Sequence, residues 1–168
     1  ANGEPAYLNL GGGLGINYKE PDRQAIVDFE SYFGIFSQLL QLQTGQEMHF
    51  ELGRAVVAQC GSLISRVLYV KEGTNTHFTI LDAGMTELIR PELYQAYHVI
   101  DNLNAASVIA DKRYDVVGPI CESSDCFGKA VELPLTKRGD LIAIRSAGAY
   151  GEVMSNRYNL RDAVQSIF

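Results

Sequence analysis

Glycines occupy positions 11, 12, 13 and 15, directly behind the short apolar run Tyr7–Leu10. Lacking a Cβ, such a loop takes positive φ and lets a ligand approach its backbone N–H groups. A strand that empties into it ahead of a helix is a common phosphate cradle. The spacing fits neither G-x-x-x-x-G-K-[ST] nor the full G-x-G-x-x-G, and a plain tight turn accounts for it as well. Glu51, followed by Gly53 and Arg54, offers a carboxylate to a cationic ring nitrogen and a guanidinium to an anion, or else a surface ion pair. Arg90 and Tyr94, four residues apart, share one side of a helical turn. Together they suit bidentate capture of a carboxylate, or are a solvated Arg beside a half-buried Tyr. Cys121-Glu122-Ser123-Ser124-Asp125-Cys126 sets a thiol beside acids, as a reactive centre or a quiet loop. A metal would need a second ligand pair at suitable spacing, and the sequence has none. Gly148 and Gly151 bracket Tyr150, either to press its ring on a ligand or to make a turn. His49, His77 and His98 read as structural.

These residues need elements to hold them. Tyr7–Leu10 reads as a buried strand. Pro21 and Asp22 mark a helix start, with Asp22 as N-cap. Ile26, Phe29, Phe33, Phe36 and Leu40 form one apolar helical stripe, ending near Thr44-Gly45. Glu47–Leu52 reads as the next strand. Strand, loop, helix and strand so closely connected make a βαβ unit with parallel strands. Chemistry in such units gathers at the carboxyl ends of the strands, where the glycine loop and Glu51–Arg54 would lie. One parallel pair leaves most of its sheet unpaired, so these residues are expected to be the tail of a larger α/β barrel or sheet.

Beyond Arg54 the pattern changes. A short helix over Ala55–Cys60 is followed by strands at Leu63–Val70, Thr76–Asp82, His98–Ile100, Ser107–Ile109, Tyr114–Val117, Ala130–Leu133 and Leu141–Ile144. Lys71–Asn75 is a turn, and Gly84–Tyr97 is irregular with short helical turns. The fold class expected is mainly β: an antiparallel β-barrel or sandwich over residues 56–168, preceded by a βαβ remnant of a (β/α)₈ barrel over residues 1–55.

The 168 residues suffice for one ordinary domain or slightly more, and 46% apolar with 20% charged content describes a globular chain with a core. A net charge of −6 without a Lys/Arg block argues against nucleic acid and anionic membrane as partners. No apolar run is long enough to span a bilayer. Three cysteines, Cys60, Cys121 and Cys126, in no disulfide-like pattern fit a reducing, cytoplasmic setting. The polar lead Ala1–Ala6 has no methionine, and the chain is expected to be a piece of something longer, with Ala1 carried over from expression.

Taken in order, Gly11–Gly15, Glu51–Arg54, Asp82-Ala83-Gly84-Met85, Arg90-Pro91-Glu92-Leu93-Tyr94, Gly118–Asp125 and Gly148–Gly151 resemble the latter half of the diaminopimelate decarboxylases, fold-type III pyridoxal-phosphate enzymes of lysine biosynthesis. The resemblance runs from about Tyr7 to Arg161. It implies a cofactor-bearing (β/α)₈ barrel followed by a β-domain, in a homodimer with shared active sites. It further implies that the glycine loop (Gly12, Gly13) and Gly53-Arg54 hold the phosphate of pyridoxal 5'-phosphate. Glu51 would face the pyridine nitrogen and Tyr150 would pack beside the cofactor. Arg54, Arg90 and Tyr94 would bind the distal carboxylate of meso-diaminopimelate, and Glu122 its distal ammonium. Cys121 would reach the neighbouring subunit's site as proton donor after CO₂ loss, giving L-lysine. Relatives acting on ornithine or arginine often follow the cysteine with Asp and lack the Arg-Pro-x-Leu-Tyr element, which favours a substrate with a carboxylate at its far end. Sister decarboxylases for ornithine, arginine or carboxynorspermidine, and a non-catalytic binding relative, are the alternatives. Leu52 stands where the family usually has Pro, loosening that turn. The strand bearing the cofactor-anchoring lysine is absent, and Lys19, Lys71, Lys112, Lys129 and Lys137 lie in other contexts. These 168 residues alone are therefore expected to be inactive, with activity in the parent protein.

Overall fold

The apolar run ahead of the glycines is a three-residue strand, β1 (Tyr7–Asn9), in a computed structural model that describes residues 5–106, 109–110 and 112–168. Helix α1 (Phe29–Leu39) follows, and then β2 (Glu47–His49), which pairs with β1 in parallel, Tyr7 opposite Glu47 and Asn9 opposite His49. The expected βαβ unit is there, with different bounds. Its first strand is not buried: Tyr7 and Asn9 are exposed and Leu8 is half-buried.

The helix cap lies six residues beyond the expected one. Asp28, not Asp22, is the N-cap, and its carboxylate accepts from the Ser31 N–H at 2.9 Å. Asp22 sits in a turn with its carboxylate paired to Arg145, so it is unavailable for capping. At the other end α1 stops at Leu39, short of Thr44-Gly45, because Leu40 turns to extended backbone. The aromatic stripe is used as expected: Phe33 and Phe36 meet Phe50 edge-on at ring separations of 4.9 and 5.2 Å. That contact seats the helix over the strand that leads to Glu51.

After the short helix α2 (Gly53–Val57), two residues earlier than expected, the chain enters β3 (Leu63–Glu72). Leu63, Ser65 and Val67 face inward and Ile64 and Arg66 outward, the alternation of a strand with one wet face. β4 (His77–Leu81), helix α3 (Arg90–Tyr94), β5 (Ile100–Asn102), β6 (Lys112–Val117), β7 (Cys126–Leu133) and β8 (Leu141–Ile144) complete the order. The strand expected at His98–Ile100 begins where that stretch ends, and β7 starts four residues ahead of Ala130. The strand expected at Ser107–Ile109 falls largely outside the described residues.

Six strands form one sheet in the order β5-β8-β3-β4-β6-β7. All its pairings are antiparallel except β4 with β6, which run parallel from His77 opposite Tyr114 to Ile80 opposite Val117. The end strands β5 and β7 approach each other, so the sheet curls nearly closed. Leu81, Leu88, Tyr114, Val116, Leu133, Ile142 and Ile144 fill its interior. The mainly β expectation holds, with one parallel step in an otherwise antiparallel barrel-like sheet.

Candidate active site

The glycine loop and Glu51 form one hydrogen-bonded unit. The Glu51 N–H donates to the Gly11 carbonyl at 2.8 Å and the Leu10 N–H to that of His49 at 2.9 Å, extending the parallel pairing past both strands. Asn9 then ties the side chains in: its Nδ2 donates to Glu51 Oε1 at 2.6 Å, while its Oδ1 accepts from the Gly11 N–H at 2.8 Å. Gly11 and Gly13 have φ of +71° and +97°, and a Cβ on Gly12 would lie 2.5 Å from the Glu51 carbonyl oxygen. Only glycine fits position 12, a cradle consistent with backbone donors holding a phosphate.

Three residues past Glu51, Arg54 opens a second region. Arg54, Arg90, Tyr94 and Tyr150 line one open cavity of about 460 Å³, together with Tyr18, Ala96, Tyr97 and Met154. Arg90 opens α3 next to Pro91, whose missing N–H is harmless at a helix start. Although Arg90 is only 6% exposed, its Nη1 donates to the Ala149 carbonyl at 2.6 Å and to Tyr18 Oη at 3.2 Å. Its Nε is buried without an acceptor among the described residues. Tyr150 bridges the two regions, for a Cβ on Gly53 would lie 3.4 Å from its hydroxyl.

Cys121 and Glu122 lie elsewhere. Both are exposed on the loop between β6 and β7 and do not line this cavity. The loop is wrapped around Asp125, which is buried and accepts from the Met85 and Ile120 N–H groups, each at 2.7 Å. Gly84 and Gly118 press so closely on that carboxylate that a Cβ on either would collide with it. From α3, Glu92 Oε1 accepts from the Cys126 N–H at 3.1 Å, while Oε2 is buried without a partner among the described residues. Burial pushes the Glu92 carboxyl up to about 7 and raises that of Asp125. Asp125 is thus a structural anchor that presents Cys121 and Glu122 outward.

The structure therefore gathers Arg54, Arg90, Tyr94 and Tyr150, links Gly12, Gly53 and Glu51 beside them, and separates Cys121 and Glu122. Sequence reasoning missed Asn9, Tyr18, Tyr97 and Met154. Asn9 alone carried a signal, as a polar residue between two leucines at the end of a strand. Of the histidines, His98 has a ring-to-ring contact with Tyr18 at 5.3 Å and Nδ1 at 2.8 Å from the Arg145 carbonyl. Burial lowers its pKa, in keeping with a neutral structural residue. No group of three or more metal-ligating side chains occurs among the described residues.

A glycine loop joined to Glu51 and a buried arginine in an open cavity thus stand beside one nearly closed, mainly β sheet. The chain belongs to the pyridoxal-dependent decarboxylases: residues 25–148 match the family's C-terminal sheet domain. It is 62% identical over 156 residues to the diaminopimelate decarboxylase of Bacteroides thetaiotaomicron, covering 93% of this chain and 40% of that protein. It is 42% identical over 157 residues to that of Pseudomonas aeruginosa, covering 92% and 36%. A crystal structure of diaminopimelate decarboxylase from Helicobacter pylori complexed with L-lysine superposes with a TM-score of 0.78 at 40% identity, covering 91% of this chain and 36% of that one. The chain thus spans about two fifths of the length of these relatives.

Proposed function

We propose that the protein carrying this chain decarboxylates meso-diaminopimelate to L-lysine and CO₂ with pyridoxal 5'-phosphate. The observation that carries the reading is the convergence of Arg54, Arg90 and Tyr94 on one cavity, beside the glycine cradle and Glu51. Two arginines and a tyrosine on one cavity suit a substrate with a second carboxylate, and do not suit a simple diamine precursor. Residues 1–55 serve as the end of the cofactor-binding barrel and 56–168 as the β-domain.

The residues fit the cofactor: the Gly12 cradle excludes any side chain, and Asn9 fixes one oxygen of Glu51. When bound, pyridoxal phosphate supplies the electron sink for breaking the bond to the departing carboxylate. Gly12, Gly13, Gly53 and Arg54 would hold its phosphate, Glu51 would face its ring nitrogen, and Tyr150 would pack against it. Arg54, Arg90 and Tyr94 bind the distal carboxylate, which fixes which end of the substrate meets the cofactor. Cys121 Sγ delivers the proton that replaces CO₂, and Glu122 holds the distal ammonium. Their exposure outside this chain's own cavity supports the reading that they complete the site of a neighbouring subunit, in a homodimer. No helix among the described residues is long and apolar enough to cross a membrane, and all three cysteines are free; a cytoplasmic location is consistent with both.

The test is CO₂ release by the full-length protein with pyridoxal phosphate, comparing meso-diaminopimelate with ornithine and arginine. Lysine formation from diaminopimelate alone is expected. Turnover of ornithine or arginine instead would discard the substrate, and inactivity with all three would discard the decarboxylase reading.

A further inference from the structure

The hydrogen bonds of Arg90 are unevenly distributed over its guanidinium. Nη1 has two N–H groups, and both are taken, by the Ala149 carbonyl and by Tyr18 Oη. The rest of the guanidinium has no protein acceptor among the described residues, and Nε is buried in that state. A buried donor without an acceptor is costly, and an arginine edge made of Nε and Nη2 matches a carboxylate side-on. Arg90 is thus held by one nitrogen and left incomplete on the opposite edge.

Tyr18 makes this arrangement. It lines the same cavity, its ring centroid lies 5.5 Å from the guanidinium carbon, and its ring makes a T-shaped contact with the buried His98 ring. His98 is itself fixed through Nδ1 to the Arg145 carbonyl. The tyrosine also comes from the segment directly after the glycine loop, whereas Arg90 belongs to the β-domain part.

We infer that Tyr18 is a positioning and specificity-determining residue: by engaging Nη1 of Arg90, it turns the guanidinium's Nε/Nη2 edge toward the substrate's distal carboxylate. This rests on the proposed reading of the site, and it deepens that reading by assigning to the glycine-loop segment a part in recognising the far end of the substrate. A phenylalanine in its place keeps its ring against His98 and over the guanidinium, but leaves one Nη1 N–H without its acceptor, so the planar group as a whole is held less firmly.

The experiment measures binding of L-lysine, which keeps the distal carboxylate, and of 1,5-diaminopentane, which has none, to the full-length holoenzyme and its Tyr18→Phe and Arg90→Ala variants. Thermal melts of each variant run alongside. Tyr18→Phe is expected to weaken L-lysine about tenfold, a typical effect of one hydrogen bond to a charged group. Binding of the diamine is expected to stay within about twofold, and KM for meso-diaminopimelate to rise with kcat little changed. Equal weakening of both ligands, or of neither, while Arg90→Ala loses L-lysine, overturns the role of Tyr18 alone. If Arg90→Ala leaves L-lysine binding unchanged, the carboxylate site itself is misassigned. Should Tyr18→Phe melt early, Tyr18→Met decides the matter by the same ratio of the two ligands.

Discussion

Asn9 Nδ2 donates to Glu51 Oε1 at 2.6 Å across the parallel β1–β2 pair, and the same amide accepts from Gly11. One side chain therefore ties the first turn of the glycine loop to the carboxylate beside it. Asn9→Ala removes both bonds at once. In the full-length protein we expect cofactor affinity to fall about tenfold or more, as for hydrogen bonds to a charged group, with the melting temperature of the apo form nearly unchanged. Titration with pyridoxal phosphate checks this, and unchanged affinity would show that Glu51 needs no such support.

Gly12→Ala puts a methyl 2.5 Å from the Glu51 carbonyl oxygen, so backbone must shift exactly where the cradle forms. Loss of cofactor binding is the expected result. Gly34→Ala, in open space on α1, is the opposite case and should stabilise the helix by about 0.5–1 kcal/mol. A denaturant titration together with cofactor titration separates the two effects.

Glu92 makes stability depend on pH. Its carboxyl is pushed up to about 7 by burial, against 4.5 ordinarily, with the neighbouring Asp125 carboxylate acting in the same direction. The folded protein then binds a proton more readily than the unfolded chain. Stability is highest below the ordinary carboxylate value and declines as pH rises toward 7. Glu92→Gln should remove that decline, gaining about 1 kcal/mol at pH 8, once screening of a half-buried group is allowed for, and little at pH 5. Melting curves at the two pH values suffice; equal shifts at both would contradict the assignment.

Asp125→Asn replaces one of two acceptor oxygens with a donor facing a backbone N–H of Met85 or Ile120. A cost of about 1–3 kcal/mol follows, and the loop bearing Cys121 and Glu122 should become more open to protease. Limited proteolysis between β6 and β7, compared with the unaltered protein, reports it directly.

What could be read from the chain was what lies close together in it. Glycine spacing, the Arg90–Tyr94 turn, the Cys121–Asp125 loop and most strand positions are local patterns. The contacts that complete the site are not local: Asn9 meets Glu51 at a separation of 42 residues, and Tyr18 meets Arg90 at 72. Periodicity carries no information about such pairings. The displaced start of α1 has a similar cause. Asp22 and Asp28 are equally good caps by residue type, and Arg145, far along the chain, claims the first. The parallel β4–β6 step was hidden because short alternating strands look alike in either direction.

The sheet order has a consequence for how the protein is made. Leu63, at the head of β3, pairs with Ile144 in β8, and β5 pairs with the same late strand. Until β8 has left the ribosome, the first half of β3 and all of β5 lack the strand they pair with, so the curled sheet cannot close during most of its own synthesis. Long-range pairings of this kind are slow to form, and the strand edges they leave open are prone to wrong partners. Premature termination anywhere before Leu141 would release a chain with β5 and the first half of β3 unpaired, a substrate for chaperones and proteases.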